Sequence, residues 1–467
     1  MIDLPGRVLV ATDSSEHATL AVRAAADLSN RADAELHVVH VRKPLPAGSA
    51  GPVRFALLLP DLAGGGVERT TLALAGGLLE RGVAVDLLLC RVEGPLLAAV
   101  PPGVRLVPLD RVPGWQGRLE ALRADPVGLA PLLLPVLLAR RPPGAYRVLP
   151  ALVRYLRDER PAALISAFPF ENLLAIAARR LAPGVPTRVV VTERNTTTRS
   201  TRGGATKWKR RFLPPLLRRQ YLMADAVVAV SAGVADHLAD RTGLPRDRIV
   251  TIHNPAVGRD LDAKAAQPLD HPWFRPGEPP VVLGVGRLVP QKDFPTLVRA
   301  FARVRRLRPA RLVILGHGTD EARDALQALA RELGCGDDLD LAGFTHNPFA
   351  YMARASVFAL SSLHEGLPGV LIQALACGCP AVSTDCPSGP AEILAGGRYG
   401  RLVPVGDDGA LAEAIAATLD DPGTSRPERI ARGHAFGVDQ AVDSYLALVP
   451  GAAPPPAVDA ATERPAA

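Results

Sequence analysis

From Arg54 to Ser383 the chain repeats one unit: a short run of Val, Leu, Ile and Ala, a turn on Gly or a polar residue, then an amphipathic stretch of helical period. Uninterrupted apolar runs belong to strands covered on both faces, and strands joined through helices run parallel. The runs predict strands over Arg54–Leu59, Ala84–Cys90, Ala163–Ser166, Arg188–Thr192, Ala226–Val230, Ile249–His253, Val281–Val285, Arg311–Leu315, Leu339–Ala342, Val357–Leu360 and Ala381–Ser383. That number suits two sheets better than one. A length of 467 residues with 48% hydrophobic content is enough for two cores. The expected fold class is therefore α/β with two Rossmann-like, doubly wound domains, at 53–257 and 281–428. Gly258–Pro280, rich in Asp, Pro and Ala, reads as the linker between them.

Residues 1–50 stand apart as a βαβ piece: RVLVATDSS, a helix through Asn30, then AELHVVHV and a Pro/Gly-rich exit. It resembles the opening of a universal stress protein, in which an Asp at the position of Asp13 lies in the nucleotide pocket. The glycine-rich phosphate loop of that family does not follow here, so the piece reads as an appendage that cannot close its own core. The Ala/Pro-rich end, 451–467, reads as a disordered tail.

The N-terminus has no basic start followed by a long apolar stretch, so the expected location is cytoplasmic. The run from Leu129 to Ala139 is about half of the roughly 20 residues needed to span a bilayer, and it contains two prolines. Five cysteines without CxxC spacing read as reduced, mostly buried thiols. A net charge of +7 does not by itself call for nucleic acid.

Chemistry concentrates where strands end. After VVLGVG come Gly286 and Arg287, with Lys292 five residues beyond Arg287. Two cations at the carboxyl end of a strand can converge on a diphosphate; a solvated turn with unrelated cations is the other reading. The next strand ends in Gly316, His317 and Gly318, where a small residue admits a ligand or makes a tight turn. His317 reads as a loop side chain. The turn holding Asn347 can present groups to a nucleobase, and an ordinary turn fits equally well.

Farther on, Glu365, Gly366, Leu367, Pro368 and Gly369 lead into a helix that carries Gln373 and ends near Gly378. Such a helix start attracts a phosphate. Glu365 and Gln373 can address separate parts of one extended ligand, a carboxylate suiting sugar hydroxyls and an amide suiting a ribose. In the first half, Gly64, Gly65 and Gly66 precede Glu68 and Arg69 at a strand-to-helix junction without P-loop or GxGxxG spacing. Glu193 and Arg194 follow another strand.

The Glu365 to Gln373 segment resembles the EX7E region of glycosyltransferase family 4, whose members have the two-domain GT-B fold with a cleft between the domains. The resemblance implies that Glu365 contacts the donor sugar and that Arg287 and Lys292 hold the diphosphate. The family's second Glu, which holds the ribose, is Gln373 here. Gly286, Gly316, Asn347 and the Gly366–Gly369 turn would complete the donor side. Gly64 to Gly66 resemble the family's GGxER loop, which faces the cleft, with Glu193 and Arg194 beside it. Many members carry a His or Asp near the sugar in this domain; Glu171 and Asn172 are the candidates here. Ser383 to Ile393 resembles members that transfer hexoses or N-acetylhexosamines to lipid-linked or capsular glycans. The helical stretch near Ala435–Leu448, within 429–449, is expected to return to the first domain.

The implied reaction is a retaining transfer from a UDP- or GDP-sugar to a saccharide or lipid-linked acceptor. It needs no metal and no cofactor: Arg287, Lys292 and the helix start near Gly369 stabilise the leaving diphosphate. Glu365, Arg287 and Lys292 are the expected catalytic group. Two rivals stay open, a nucleotide-binding stress sensor and another GT-B enzyme such as a phosphorylase or an epimerase.

Between Arg194 and Arg219 the sequence has nine basic residues and no acidic one. Trp208, Phe212 and Leu216 recur every four residues there, with Pro214 and Pro215 expected to interrupt or restart the helix. A peripheral contact with an anionic membrane at the inner face is one expectation, and a basic loop with a core-packed helix is the other. Arg199 and Arg202 would then contact an acidic acceptor. No nucleic-acid module accompanies the run.

Overall fold

The computed structural model describes residues 7–12, 35–40, 53–128, 138, 144–195 and 207–450, with the backbone alone described at 7–12, 35–40, 144 and 207–212. Asp13, the helix through Asn30, nearly all of the Leu129–Ala139 run, Arg199, Arg202 and the 451–467 tail lie outside the described residues.

β1 (Arg7–Thr12) and β2 (Glu35–His40) form a two-stranded parallel pair of their own. The first large sheet has seven parallel strands in the order β5-β4-β3-β6-β7-β8-β9. They are β3 (Arg54–Leu59), β4 (Ala84–Leu89), β5 (Arg105–Pro108), β6 (Ala163–Ala167), β7 (Arg188–Glu193), β8 (Ala226–Ala229) and β9 (Ile249–Thr251). The second has six parallel strands in the order β12-β11-β10-β13-β14-β15. These are β10 (Val281–Val285), β11 (Arg311–Leu315), β12 (Leu339–Gly343), β13 (Val357–Leu360), β14 (Ala381–Thr384) and β15 (Arg401–Val403). The sequence has the two doubly wound sheets that its alternation predicts, with the edge strands β5 and β15 in addition.

Around the first sheet lie α1 (Gly66–Glu80), α2 (Gly114–Ala124), α3 (Leu149–Glu159), α4 (Pro169–Leu181), α5 (Lys207–Tyr221) and α6 (Ala232–Thr242). The connection between the sheets holds α7 (Leu261–Ala266). The second half adds α8 (Phe294–Leu307), α9 (Asp320–Glu332), α10 (Pro348–Met352), α11 (Gly369–Ala376), α12 (Pro390–Ile393), α13 (Asp408–Asp420), α14 (Arg426–His434) and α15 (Val438–Ala447). One core cluster covers a face of the first sheet and runs through Ala256, Val257, Leu367 and Phe436 into the second half. Another covers the opposite face of the first sheet and includes Val438, Val442, Tyr445 and Leu446 of α15. α15, the last described helix, thus packs back on α1.

Two sequence expectations change here. α5 passes through Pro214 and Pro215 without a break. An internal proline costs about 3 kcal/mol, and burial of Leu213, Leu216, Leu217 and Tyr221 against the core offsets it. Leu216 is therefore a core side chain, which removes it from any lipid-facing stripe. The 258–280 connection is also more than a loop: Leu261 of α7 is buried, Trp273 stacks under Arg311 at 4.9 Å, and Phe274 meets Tyr351 edge-on at 5.5 Å. All five cysteines are buried and unbridged.

Candidate functional site

A doubly wound sheet reverses its strand order once, and the loops that part there open a crevice at the carboxyl edge. In the second sheet the reversal lies between β10 and β13. The loops that part are the ones carrying Arg287 and Lys292 on one side and Glu365 on the other. Lys292 Nζ lies 2.6 Å from Glu365 Oε1, and Ser362 Oγ donates to the same oxygen at 2.7 Å. Gln291 Nε2 donates to the His364 carbonyl at 2.9 Å, and Ser361 Oγ donates to the Lys292 carbonyl at 2.8 Å. These bonds hold the two loops in register. Arg287 is exposed, and no described residue pairs with it.

The glycines at this edge are steric requirements. Gly316 has φ +147°, and a Cβ there would fall 1.8 Å from the Gly286 carbonyl oxygen. The backbone after β11 thereby seats on the loop after β10, with Leu288 N–H donating to the His317 carbonyl at 2.9 Å. Pro368 caps α11 without any side-chain bond to the first turn, so the helix start carries no side-chain cap.

Two expected donor residues have their amides engaged elsewhere. Asn347 caps α10, and its Nδ2 donates to the Lys264 carbonyl and Gln267 Oε1 at 2.8 Å each, tying α10 to the interdomain connection. Gln373 Nε2 donates to the Ala256 carbonyl at 3.0 Å, a bond to the exit of the first sheet.

The first sheet reverses between β3 and β6, which places the Gly64 to Gly66 loop beside the start of α4. Gly64 has φ +98°, Gly65 caps α1, and the buried Glu68 folds back over Gly65. Arg194 Nη1 donates to Thr70 Oγ1 at 2.6 Å and to Asn254 Oδ1 at 2.8 Å, while its Nε is enclosed without a partner. Burial lowers the Arg194 guanidinium from its usual range. Its carbonyl oxygen would lie 2.2 Å from a Cβ on Gly366, so the two halves touch where the GGxER-like loop and the EX7E-like loop converge.

Glu193 is a correction. It is 3% exposed and accepts from the Tyr221 hydroxyl, in a buried network with Asn172, whose Nδ2 donates to the Thr192 carbonyl at 3.0 Å. Asn172 in turn accepts from Ser166 Oγ at 2.7 Å. Both are interior braces rather than cleft surface. Glu171 differs: it is 8% exposed, and its carboxyl takes a hydrogen bond from its own backbone N–H, with Asp61 and Arg91 nearby. Burial, reinforced by nearby Asp61, pushes it up to about 7. Phe168, which leads into α4, has φ +82° and ψ 141°, a conformation nearly restricted to glycine.

Sequence reasoning places Ser231 and Ala232 just after a strand, where cleft residues belong, but not their partners across the seam between the halves. Ser231 Oγ donates to the Gly366 carbonyl at 2.8 Å, Ala232 N–H to Glu392 Oε2 at 2.8 Å, and His253 Nε2 lies 2.6 Å from Glu392 Oε1. Nothing in local spacing joins residues so far apart in the chain.

Comparison with known proteins then adds three family matches. Residues 64–256 match the model described as Glycosyltransferase Family 4, and 279–421 the one described as Glycosyl transferases group 1. Residues 5–95 match the Universal stress protein family, a match that reaches past the β1–β2 pair into β3 and β4. A Campylobacter jejuni N-acetylgalactosamine-N,N'-diacetylbacillosaminyl-diphospho-undecaprenol 4-alpha-N-acetylgalactosaminyltransferase is 31% identical over 251 residues, 54% of this chain and 65% of that protein. The lipopolysaccharide core biosynthesis glycosyltransferase LpsE of Rhizobium meliloti is 34% identical over 230 residues, 48% of this chain and 64% of that one. The chain thus spans just under two thirds of these relatives. A glycosyltransferase structure from Rickettsia africae superposes with TM-score 0.66 at 15% identity, covering 85% of this chain and 98% of that one. Anabaena HepE with UDP superposes with TM-score 0.64 at 18% identity, covering 85% and 100%.

Proposed function

The two sheet-bearing halves belong to glycosyltransferase family 4 and to the group 1 glycosyl transferases, in the GT-B fold, and from that premise we propose that the chain transfers a sugar from a nucleotide diphosphate donor to a growing polysaccharide or lipid-linked glycan. The observation that carries this reading is the Lys292–Glu365 pair at the second switch point, with the exposed Arg287 on the same loop. The donor is a UDP- or GDP-linked hexose or N-acetylhexosamine, and the acceptor a saccharide or lipid-linked saccharide at the cytoplasmic side.

Bond cleavage between the anomeric carbon and the diphosphate leaves negative charge on the phosphate and positive character on the sugar. Arg287, Lys292 and the start of α11 stabilise the first. Glu365, held by Lys292 and Ser362, faces the second and orients sugar hydroxyls. The anomeric configuration is retained by attack from the face that the diphosphate leaves, with a phosphate oxygen taking the acceptor hydroxyl proton. No metal is needed, because the cations neutralise the diphosphate.

The universal stress protein match favours a second reading, nucleotide sensing without transfer. One experiment separates them: incubation with UDP- and GDP-sugars and candidate acceptors, following nucleotide release with and without EDTA. Acceptor-dependent release that persists in EDTA and falls at least about a hundredfold in Glu365→Gln supports transfer. Nucleotide binding with no release supports sensing, and release that requires a divalent ion removes the metal-free mechanism.

A further inference from the structure

The first sheet has a switch point of its own, between β3 and β6, and α4 starts beside the crevice that opens there. Two carboxyl groups lie at that edge. Asp61, two residues past β3, is 7% exposed and engaged at both oxygens: Oδ1 accepts from the Ala63 N–H at 3.1 Å, and Oδ2 pairs with Arg91. Arg91 turns its other terminal nitrogen to Glu93 at 3.0 Å. Glu171, in the first turn of α4, is 8% exposed and takes a hydrogen bond from its own backbone N–H, and no side chain among the described residues hydrogen-bonds it. A buried carboxyl without a side-chain partner is a net cost to the fold, so a ligand is the natural source of its missing bond.

The backbone holds this carboxyl in place. Asn172, the next residue, is fastened inward to Ser166 Oγ, the Thr192 carbonyl and the Tyr221 hydroxyl at 2.7, 3.0 and 2.9 Å. Phe168, with φ +82°, accepts from the Asn172 N–H at 2.9 Å. The first turn of α4 is thus clamped on both sides of Glu171, and the strained Phe168 sets its direction.

On the reading that the chain transfers sugars, we propose that Glu171 recognises the acceptor: its carboxyl group hydrogen-bonds a hydroxyl of a neutral saccharide seated in the crevice of the first sheet. The Gly64 to Gly66 loop borders this crevice and converges on the donor side where Arg194 meets Gly366, so a sugar held at Glu171 lies on the approach to the donor. The titratable and charged groups around Glu171 are Asp61 after β3, Cys90 and Arg91 after β4, Tyr146 before α3 and Tyr221 of α5. Burial, reinforced by Asp61, pushes the carboxyl up to about 7, so near neutral pH its acid form both donates and accepts. A sugar hydroxyl does the same and matches it. A phosphate or uronate would meet the charge of Asp61, while Arg91 is already held by Asp61 and Glu93, so this crevice disfavours anionic saccharides.

The test follows nucleotide release from UDP- and GDP-sugars in the full chain. Octyl glucoside, octyl galactoside and octyl N-acetylglucosaminide serve as neutral acceptors, and octyl glucuronide as the anionic counterpart of the first. Calorimetric titration with UDP and GDP reads the donor side without any acceptor. Neutral glycosides should accelerate release, and the glucuronide should need a KM at least about tenfold higher. Glu171→Leu should raise the KM of the neutral acceptor at least about tenfold with nucleotide affinity unchanged. In wild type that KM should rise about tenfold from about pH 6 to about pH 8.5, as the carboxyl ionises and stops donating. Glu171→Gln, which cannot ionise, should show a flat profile. A purely structural role would move the melting temperature but neither the acceptor KM nor its pH profile. The proposal alone is overturned if transfer occurs and Glu171→Leu keeps the wild-type acceptor KM, if Glu171→Gln shares the wild-type pH profile, or if wild type prefers the glucuronide. Release that no glycoside accelerates overturns the transfer reading and the proposal with it.

Discussion

Lys292 and Arg287 lie five residues apart on one loop, but their surroundings predict different consequences of removing them. Arg287 is exposed without a described partner, so Arg287→Ala should leave the melting temperature unchanged while nucleotide affinity drops by about 1.5–3 kcal/mol. Lys292→Ala should lose similar affinity and also destabilise the second half by about 3 kcal/mol, because Glu365 is left as a nearly buried carboxylate with only Ser362 beside it. Calorimetric titration with UDP and GDP, paired with thermal melts, reads both; equal melting temperatures for the two variants would count against the ion pair. Glu171 makes a second residue-scale prediction. Its folded-state value of about 7 lies above the ordinary 4.5, so folding favours its protonated form. That contribution is fully present below pH 4.5 and is lost as pH rises through about 7. Glu171→Gln should match wild type at pH 3.5 and exceed it in stability by about 3.5 kcal/mol at pH 8.5, checked by denaturant melts at the two pH values. The sequence reveals these residues as polar groups at strand ends. It does not reveal that Lys292 and Glu365 meet, or that Glu193 turns inward to Tyr221, because each depends on a partner placed by a separate loop.

At the scale of elements, legibility follows burial. β3, β6, β10 and β13 lie inside their sheets and read as continuous apolar runs, since both faces are covered. β5 and β15 are edges: β5 alternates half-buried and exposed positions, and each contains an arginine, so neither reads as a buried strand. α5 is the opposite failure, a helix whose local grammar forbids it and whose buried leucines impose it. Contacts between helices are equally hidden in sequence. Gly77 of α1 accepts α15 so closely that a Cβ there would fall 2.4 Å from Val438 Cγ1 and 2.7 Å from Val442 Cγ2. Gly77→Val should therefore push α15 off its seat at a cost of about 2 kcal/mol. Limited proteolysis would detect it, as cleavage after Phe436 that wild type resists; an unchanged digestion pattern would mean that α15 adjusts without leaving.

For the whole molecule, two chain crossings and one polar seam join the halves. The crossings pair with each other: Ala256 N–H donates to the Phe436 carbonyl at 3.1 Å, Val257 bridges Gly437, and the His253 ring lies 4.9 Å from that of Phe436. α15 is fixed to α1 by apolar burial and by ion pairs of Arg81 with Asp439 and Asp443, so this junction is the natural pivot. The seam is different in kind. Ser231, Ala232 and His253 bind Gly366 and Glu392 through hydrogen bonds that water can replace at little net cost. Opening about the pivot thus breaks polar contacts while the crossings stay intact. Glu392 holds two of the three contacts, the start of α6 and the His253 ring. Glu392→Ala should shift the unliganded protein toward the open form, enlarging its radius of gyration in solution scattering. It should also weaken nucleotide binding severalfold, because the closed arrangement that sets Arg194 against Gly366 becomes a smaller share of the population. Saturating nucleotide should restore the compact form, whereas a variant as compact as wild type without nucleotide would place the closure elsewhere than at Glu392.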